Sequence, residues 1–294
     1  MKYSLRQLQV FIAVAHHQNV SRAAEELAMS QSAVSGALKD LERQFTIQLF
    51  DRVGKRLQIN ELGQRMRPRA EALLAQAGEF EQALQGHERG GDLTVGATLT
   101  IGNYLCVGLI EAFIAAAPES RVRLEVANTE RIARKILDFK IDIGMIEGEW
   151  QHPDLDITPW QKDELVCFCA PKHPLANATD LDITALLSSR WILREMGSGT
   201  RQSFDRAFHG HLQKLNVVLE LQHTEAIKRA VEAGIGISCL SRIALKDAFA
   251  RGDLVELATP QLDLTRHFYL VLHRQKYRSS GISRWLEVCE SNRR

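Results

Sequence analysis

The sequence predicts an N-terminal, all-α winged helix-turn-helix, a long linker helix, and an α/β body of two lobes. Three observations predict it. Val20–Lys39 holds two short helical patterns joined by a tight break, the second with small polar residues outside. Leu62–Gln85 repeats apolar residues every three or four positions. From Leu93, strand-like runs alternate with helical patterns over about 200 residues, which is long for one sheet, so two lobes with a cleft fit better. The expected units are residues 1–60, 61–88 and 92–294.

In the head, Leu5, Leu8, Phe11, Ile12, Val14 and Ala15 form the apolar stripe of a first helix. Ser21 is suited to cap the next one, with Glu25 and Glu26 close to its positive end. Ala23, Ala24 and Leu27 face inward, and Ala24 is small enough for a crossing helix. Met29 fills the corner. Ser30 caps the following helix, where Val34, Ala37, Leu38 and Leu41 point inward. Gln31, Ser32, Ser35 and Lys39 stay outside. Gln can bond an adenine edge bidentately, and Ser can reach base or phosphate. A plain helical hairpin with a solvated face has the same pattern, so the flanks matter. Leu49–Ile59 alternates, turns at Gly54 and carries Arg52, Lys55 and Arg56, which suits a hairpin wing lying on phosphates. With Arg22, these nine residues (Arg22, Ser30, Gln31, Ser32, Ser35, Lys39, Arg52, Lys55, Arg56) are the candidate DNA contacts.

The head resembles the LysR-type transcriptional regulators of bacteria. The resemblance rests on Leu8-x-x-Phe11, Ala23-Ala24-x-x-Leu27, Ser30-Gln31-Ser32-Ala33-Val34-Ser35, Leu41-Glu42, Leu49-Phe50-x-Arg52 and Leu62-Gly63. Thr46 stands where the family usually has Gly, and Asn60 where it usually has Thr. Asn60 can still cap a helix. The resemblance implies a sequence-specific regulator without catalytic activity. It further implies double-stranded DNA with a dyad-symmetric site, a homodimer or homotetramer, and RNA polymerase as partners.

Met66, Ala70, Leu73, Leu74, Ala77, Phe80 and Leu84 make the linker helix amphipathic, with Pro68 near its first turns. In the resembled family this helix dimerises. His87–Asp92, with Gly90 and Gly91, reads as a hinge.

In the body, strands are expected at Leu93–Ala97, Val122–Val126, Ile141–Ile146, Leu165–Ala170, Trp191–Leu193, Val217–Leu221, Ile235–Leu240 and His267–Leu272. Helices are expected at Gly102–Ala117, Thr129–Phe139, Thr200–Lys214 and Glu225–Ala233. That grammar gives open, parallel-rich sheets with right-handed crossovers. The resemblance implies the fold of periplasmic binding proteins. Lobe I would hold 92–162 and 266–294, lobe II 163–265, with the chain crossing near Lys162 and returning near Arg266.

Ligands of open α/β sheets bind beyond the carboxyl ends of strands. Three such places offer hydroxyls and free N–H groups: Thr98-Leu99-Thr100-Ile101, Gly197-Ser198-Gly199-Thr200 and Thr224. A small organic or inorganic anion is the effector they suit. The Gly-Ser-Gly-Thr loop lacks the Lys and spacing of a nucleotide phosphate loop. It could equally be a capped strand-to-helix turn. Arg194-Glu195-x-Gly197-Ser198-Gly199-Thr200-Arg201 is similar to the carbon-fixation and sulfur-assimilation branch of the family, whose members sense small anions or phosphorylated and carboxylated metabolites. Glu147, closing the strand Ile141–Ile146, should face the cleft, and argues against a purely anionic pocket. It could bond a protonated or hydroxylated ligand, pair with Arg194 or Arg201, or be solvated. Gly234-Ile235-Gly236 starts a strand rather than leaving one, so it reads as a turn, not a dinucleotide fingerprint.

Net charge is +1, which conceals a head of +5 over residues 1–70 and a remainder of −4. A basic head on an acidic body suits DNA binding beside small-molecule binding. No charged start precedes an apolar run and cleavage site, so a cytoplasmic protein is expected. Leu105–Ala117 is too short to span a membrane and contains Glu111. The five cysteines lack zinc-like spacing; reduced, buried thiols are expected, with a redox switch as the other reading. No cofactor and no metal site are expected. Two rivals remain: a transport solute-binding protein, which would share the body but not the basic head, and an α/β hydrolase-like enzyme using Ser198 or Cys239. The latter lacks a Gly-x-Ser-x-Gly elbow.

Overall fold

In the computed structural model, which describes residues 2–53, 56–84, 92–178 and 181–293, three helices build the head. These are α1 (Leu5–His17), α2 (Val20–Glu26) and α3 (Gln31–Phe45). The cap of α2 is Asn19, not Ser21: its Oδ1 accepts from Arg22 N at 3.1 Å. Val20 is already helical, which moves the boundary two residues upstream. Ser30 caps α3 through Ala33 N at 3.2 Å. Val10, Phe11, Val14, Ala23, Ala24, Val34, Leu38 and Leu41 are buried together. Thr46 ends α3 in the left-handed region, φ 55°, where Gly is ordinarily favoured.

Strands β1 (Phe50–Val53) and β2 (Arg56–Ile59) pair antiparallel as the wing. Glu42 anchors its start, accepting from Leu49 N at 2.7 Å. Asn60 caps α4 (Glu61–Leu84), accepting from Gly63 N at 2.9 Å. A Cβ on Gly63 would lie 2.3 Å from the Leu49 carbonyl oxygen, so only Gly lets the helix start against the wing. Lys55 and the hinge residues 87–91 lie outside the described residues, as does the Arg56 side chain.

The body follows as β3 (Leu93–Ala97), α5 (Leu99–Tyr104), α6 (Cys106–Ala116), β4 (Val122–Val126), α7 (Thr129–Leu137), β5 (Ile143–Glu147), β6 (Leu155–Cys169) and α8 (Ile183–Ser188). Then come β7 (Arg190–Arg194), α9 (Gly199–Ala207), β8 (Asn216–Leu221), α10 (Thr224–Glu232), β9 (Ser238–Ser241), α11 (Arg242–Arg251), β10 (Val255–Leu257), β11 (Thr265–His273) and α12 (Ser280–Ser291). The expected helix Gly102–Ala117 is two helices that break at Leu105, and the helix expected to reach Lys214 stops at Ala207. The strand expected at Leu165–Ala170 begins ten residues earlier, at Leu155. The missed half, Leu155–Lys162, alternates poorly because it includes Pro159 and charged residues.

The sheets are mixed rather than mainly parallel. β3 pairs in parallel with β4 and β5, and β7 with β8. The long strands β6 and β11 are antiparallel to each other, from Thr265↔Glu164 to His273↔Leu155. β6 then continues beside β9 and β10. One apolar cluster gathers Val95, Phe113, Ile143, Trp160, Phe268 and Trp285. Another gathers Leu165, Trp191, Phe204, Phe208 and Ile237. The β6–β11 pair connects the two.

Helix α4 also docks on the body. Arg67 donates to the Asp138 carbonyl, Tyr277 Oη to Glu79 at 2.7 Å, and Ser280 N to Glu79 at 2.8 Å. Among the described residues no helix is long and apolar enough to cross a membrane. All five cysteines are free and buried. Burial pushes the Cys106 thiol up to about 12 and Cys169 to about 11, which makes them poor nucleophiles.

Candidate DNA interface and effector cleft

The buried stripe of α3 fixes which residues are left outside. Val34, Leu38 and Leu41 hold the helix to the head, so Gln31, Ser32 and Lys39 stand exposed and Ser35 half-buried on the other side. Ser30 is engaged as the cap, and its Oγ also lies 3.0 Å from Ser32 Oγ. A groove of about 710 Å³ runs between α3 and the wing, lined by Ser35, Lys39, Glu42, Gln48, Asp51 and Arg52. Arg52, in that lining, and Arg22, in the first turn of α2, are both exposed. The arrangement offers amide and hydroxyl groups for base edges between cations for phosphates.

The cleft has a different character from three free helix ends. Where α5, α9 and β11 meet β5 lies the carboxylate of Glu147, 1% exposed, at the end of β5. Oε1 accepts from Thr100 N at 2.9 Å. Oε2 accepts from Thr200 Oγ1 at 2.8 Å and from Arg266 Nη1 at 2.8 Å. Arg266 Nε donates to Asp163 Oδ2 at 2.6 Å, and Ser241 Oγ to Asp163 Oδ1 at 2.7 Å. Burial alone would raise the Glu147 carboxyl, yet Arg266, Arg194 and the Thr100 and Thr200 hydrogen bonds hold it at about 2. Asp163 goes the other way: burial outweighs Arg266 and pushes it up. Glu147 is therefore neither solvated nor paired directly with Arg194 or Arg201. Arg194 is bidentate to Glu195, and Arg201 bonds Asp205 and Glu220, so both serve the structure.

Thr98, Leu99, Thr100, Ile101, Ser198, Gly199, Thr200 and Thr224 are all buried. Thr100 contributes its backbone N–H, whereas Thr200 contributes its hydroxyl. The Ile101 side chain belongs to an apolar cluster. A Cβ on Gly199 would lie 1.9 Å from the Glu147 carbonyl oxygen, so this Gly lets β5 and α9 touch. Gly197, Ser198 and Gly199 line a pocket of about 240 Å³ with Thr129, Trp150 and Met196, and its lining includes neither Glu147 nor Arg266. Among the described residues, the buried polar atoms without a partner include three that belong to these segments and to Arg266: Thr98 Oγ1, Thr224 Oγ1 and Arg266 Nη2. Tyr104 Oη, on α5, donates to Glu225 at 2.8 Å, so α5 and α10 face each other.

The sequence reading missed Arg266, Asp163 and the Tyr104–Glu225 bridge. Arg266 had one legible signal, a charged residue immediately before the strand-like run His267–Leu272. Its two carboxylate partners are 103 and 119 residues away in sequence and carry no local signature. Among the described residues no group of His, Cys, Asp and Glu is arranged to hold a metal ion.

Comparison with known proteins finds matches for both parts of the chain. Residues 5–64 match the model of the bacterial regulatory helix-turn-helix protein, lysR family, and residues 86–294 match the LysR substrate binding domain. The transcriptional regulator YeiE of Escherichia coli K12 is 44% identical over 290 residues, covering 99% of this chain and 98% of that one. The RuBisCO operon transcriptional regulator of Allochromatium vinosum is 32% identical over 279 residues, 94% of this chain and 92% of that one. The CcmR regulatory domain of Synechocystis PCC6803, solved in complex with 2-PG, is 31% identical with a TM-score of 0.65. It covers 69% of this chain and 98% of that domain.

Proposed function

The chain belongs to the LysR family of transcriptional regulators, and on that premise we propose how it reads DNA and an effector. Two copies bind a dyad-symmetric site, each laying α3 in a major groove. The observation that carries this is the division of α3 into a buried face and an exposed one bearing Gln31, Ser32 and Lys39. Gln31 and Ser32 reach base edges. Arg22, Ser30, Ser35, Lys39, Arg52, Lys55 and Arg56 position the head on sugar and phosphate. The working units are 1–60, 61–88, and a body of lobe I (92–162 and 266–294) and lobe II (163–265). The protein acts in the cytoplasm, contacts RNA polymerase, and has no catalytic activity.

Gel-shift titration at two salt concentrations tests the head. Gln31→Ala is expected to cost about 1–3 kcal/mol and relax base preference at one position. Arg52→Ala should weaken binding to every sequence and lower the salt slope by about one. Unchanged base preference in the Gln31 variant would remove it from base reading.

The effector is a small anion held between the lobes by Thr98, Thr224 and Arg266. Three unpartnered buried polar atoms support this, because buried polar groups are ordinarily bonded. The Glu79 and Arg67 contacts carry any movement of lobe I into α4 and hence to the heads. A ligand drives that movement only as far as its affinities for the two states differ. Because Thr100 bonds Glu147 through its backbone, Thr100→Ala leaves that contact in place. Thr98→Ala and Thr224→Ala are the informative variants. Each should lose the effector response by tenfold or more, roughly one charged hydrogen bond, and keep basal DNA binding. Native effector affinity in both, by calorimetry, would place the ligand elsewhere.

A further inference from the structure

Building on that anionic effector between the lobes, we propose that Glu147 selects an oxyanion group that still carries a proton, and rejects a fully deprotonated one. The donors an anion would use beside Glu147 are already spent. Thr100 N–H, Thr200 Oγ–H and Arg266 Nη1–H all point at the Glu147 carboxylate. A bare anion arriving there meets a buried negative charge of its own sign. A carboxylate has about four lone-pair positions, and Glu147 uses three, so the position left accepts only a donor.

The remaining groups supply the opposite half of the recognition. Arg266 Nη2 is a donor without a partner, on a residue 4% exposed. The Thr98 and Thr224 hydroxyls, each 2% exposed, are equally unpartnered and turn to suit a ligand. A ligand that satisfies both halves accepts from Arg266 and the threonines and donates to Glu147. Monohydrogen phosphate, or a phosphoryl or carboxyl group beside a hydroxyl, has that pattern; sulfate does not. Asp163 brings no free charge to offset Glu147: it is itself an acid, bonded by Ser241 at Oδ1 and by Arg266 at Oδ2. Nor does Arg201, which is paired with its own acids, and Arg194, which favours the charged Glu147 through space, spends its hydrogen bonds on Glu195.

Two probes of equal charge and similar shape separate the cases. At mildly alkaline pH inorganic phosphate is mainly the monohydrogen dianion, and sulfate is a dianion with no proton. Calorimetric titration of each into the full chain, at matched ionic strength, is expected to show phosphate binding roughly a hundredfold more tightly, or better. Glu147→Gln should bring the two within about tenfold, because the amide can donate to a bare oxygen. Sulfate binding as well as phosphate in the native protein would overturn the selection and leave an anion site standing. A preference that survives intact in Glu147→Gln would assign it to another group and overturn the role of Glu147. Neither anion binding the native protein would overturn the anionic effector itself. If Glu147→Gln fails to fold, the native comparison decides, and Thr98→Ala should weaken both anions alike if they bind in this cleft.

Discussion

Arg266→Met is expected to destabilise the body by roughly 3–5 kcal/mol, the ordinary cost of removing one partner from a buried ion pair. The native Arg266 side chain is 1% exposed and sits between two carboxylates that are themselves 1% exposed. Its aliphatic stem lies beside Phe268, 5.5 Å from guanidinium carbon to ring centre, and Met can fill much of that space. What Met cannot do is compensate the charge on Glu147 or the proton demand of Asp163. The loss should therefore come from stranded acids rather than from a cavity. Adding Glu147→Gln and Asp163→Asn to Arg266→Met removes the stranded acids and should recover a large part of the stability. Urea unfolding followed by tryptophan fluorescence measures both. An Arg266→Met midpoint equal to the native one, with an unchanged slope, would show that the cluster is not a closed electrostatic unit.

The same cluster marks the limit of what sequence alone can reveal. The head was legible almost residue by residue because its information is local: a cap, a three-to-four spacing, a small Ala at a crossing. Even there the α2 cap was misplaced, since Asn19 and Ser21 are both capable caps and only the path of the chain chooses. In the body, strands whose own pattern is clear, such as Leu93–Ala97 and the alternating Val122–Val126, matched residue for residue. Leu155–Lys162 was missed because its partners across the sheet, not its own pattern, make it a strand. In the cleft, hydroxyl and Gly positions could be nominated from their place after strands. Their division of labour could not, because it depends on Arg266 arriving from a strand more than a hundred residues away. Glu147 was legible as the residue that closes its strand, but its burial and its partners are consequences of tertiary contact.

Leu73→Glu combined with Phe80→Glu is expected to halve the mass of the protein in solution and to weaken binding to a dyad-symmetric site by about 10²–10⁴, the loss of one linked head. Helix α4 has two apolar faces. Met66, Ala70 and Leu74 pack against the chain's own head, so that face is occupied. Leu73, Phe80 and Leu84 are 41%, 66% and 72% exposed, and with Gln76 they follow one another at helical spacing. Three exposed large apolar side chains along about three turns of a helix of about 36 Å fit a second copy of the same helix, related by a two-fold axis. Two glutamates from each chain would then bring four like charges into one seam. Leu74→Glu is the contrasting variant. It should disrupt the head and lower helical content, because its side chain belongs to the head core and not to the free stripe. Light scattering and circular dichroism together separate the outcomes. A double variant that keeps the native mass would move the dimer seam off α4, and a double variant that loses helicity along with mass would mean that the stripe supports the fold of the single chain.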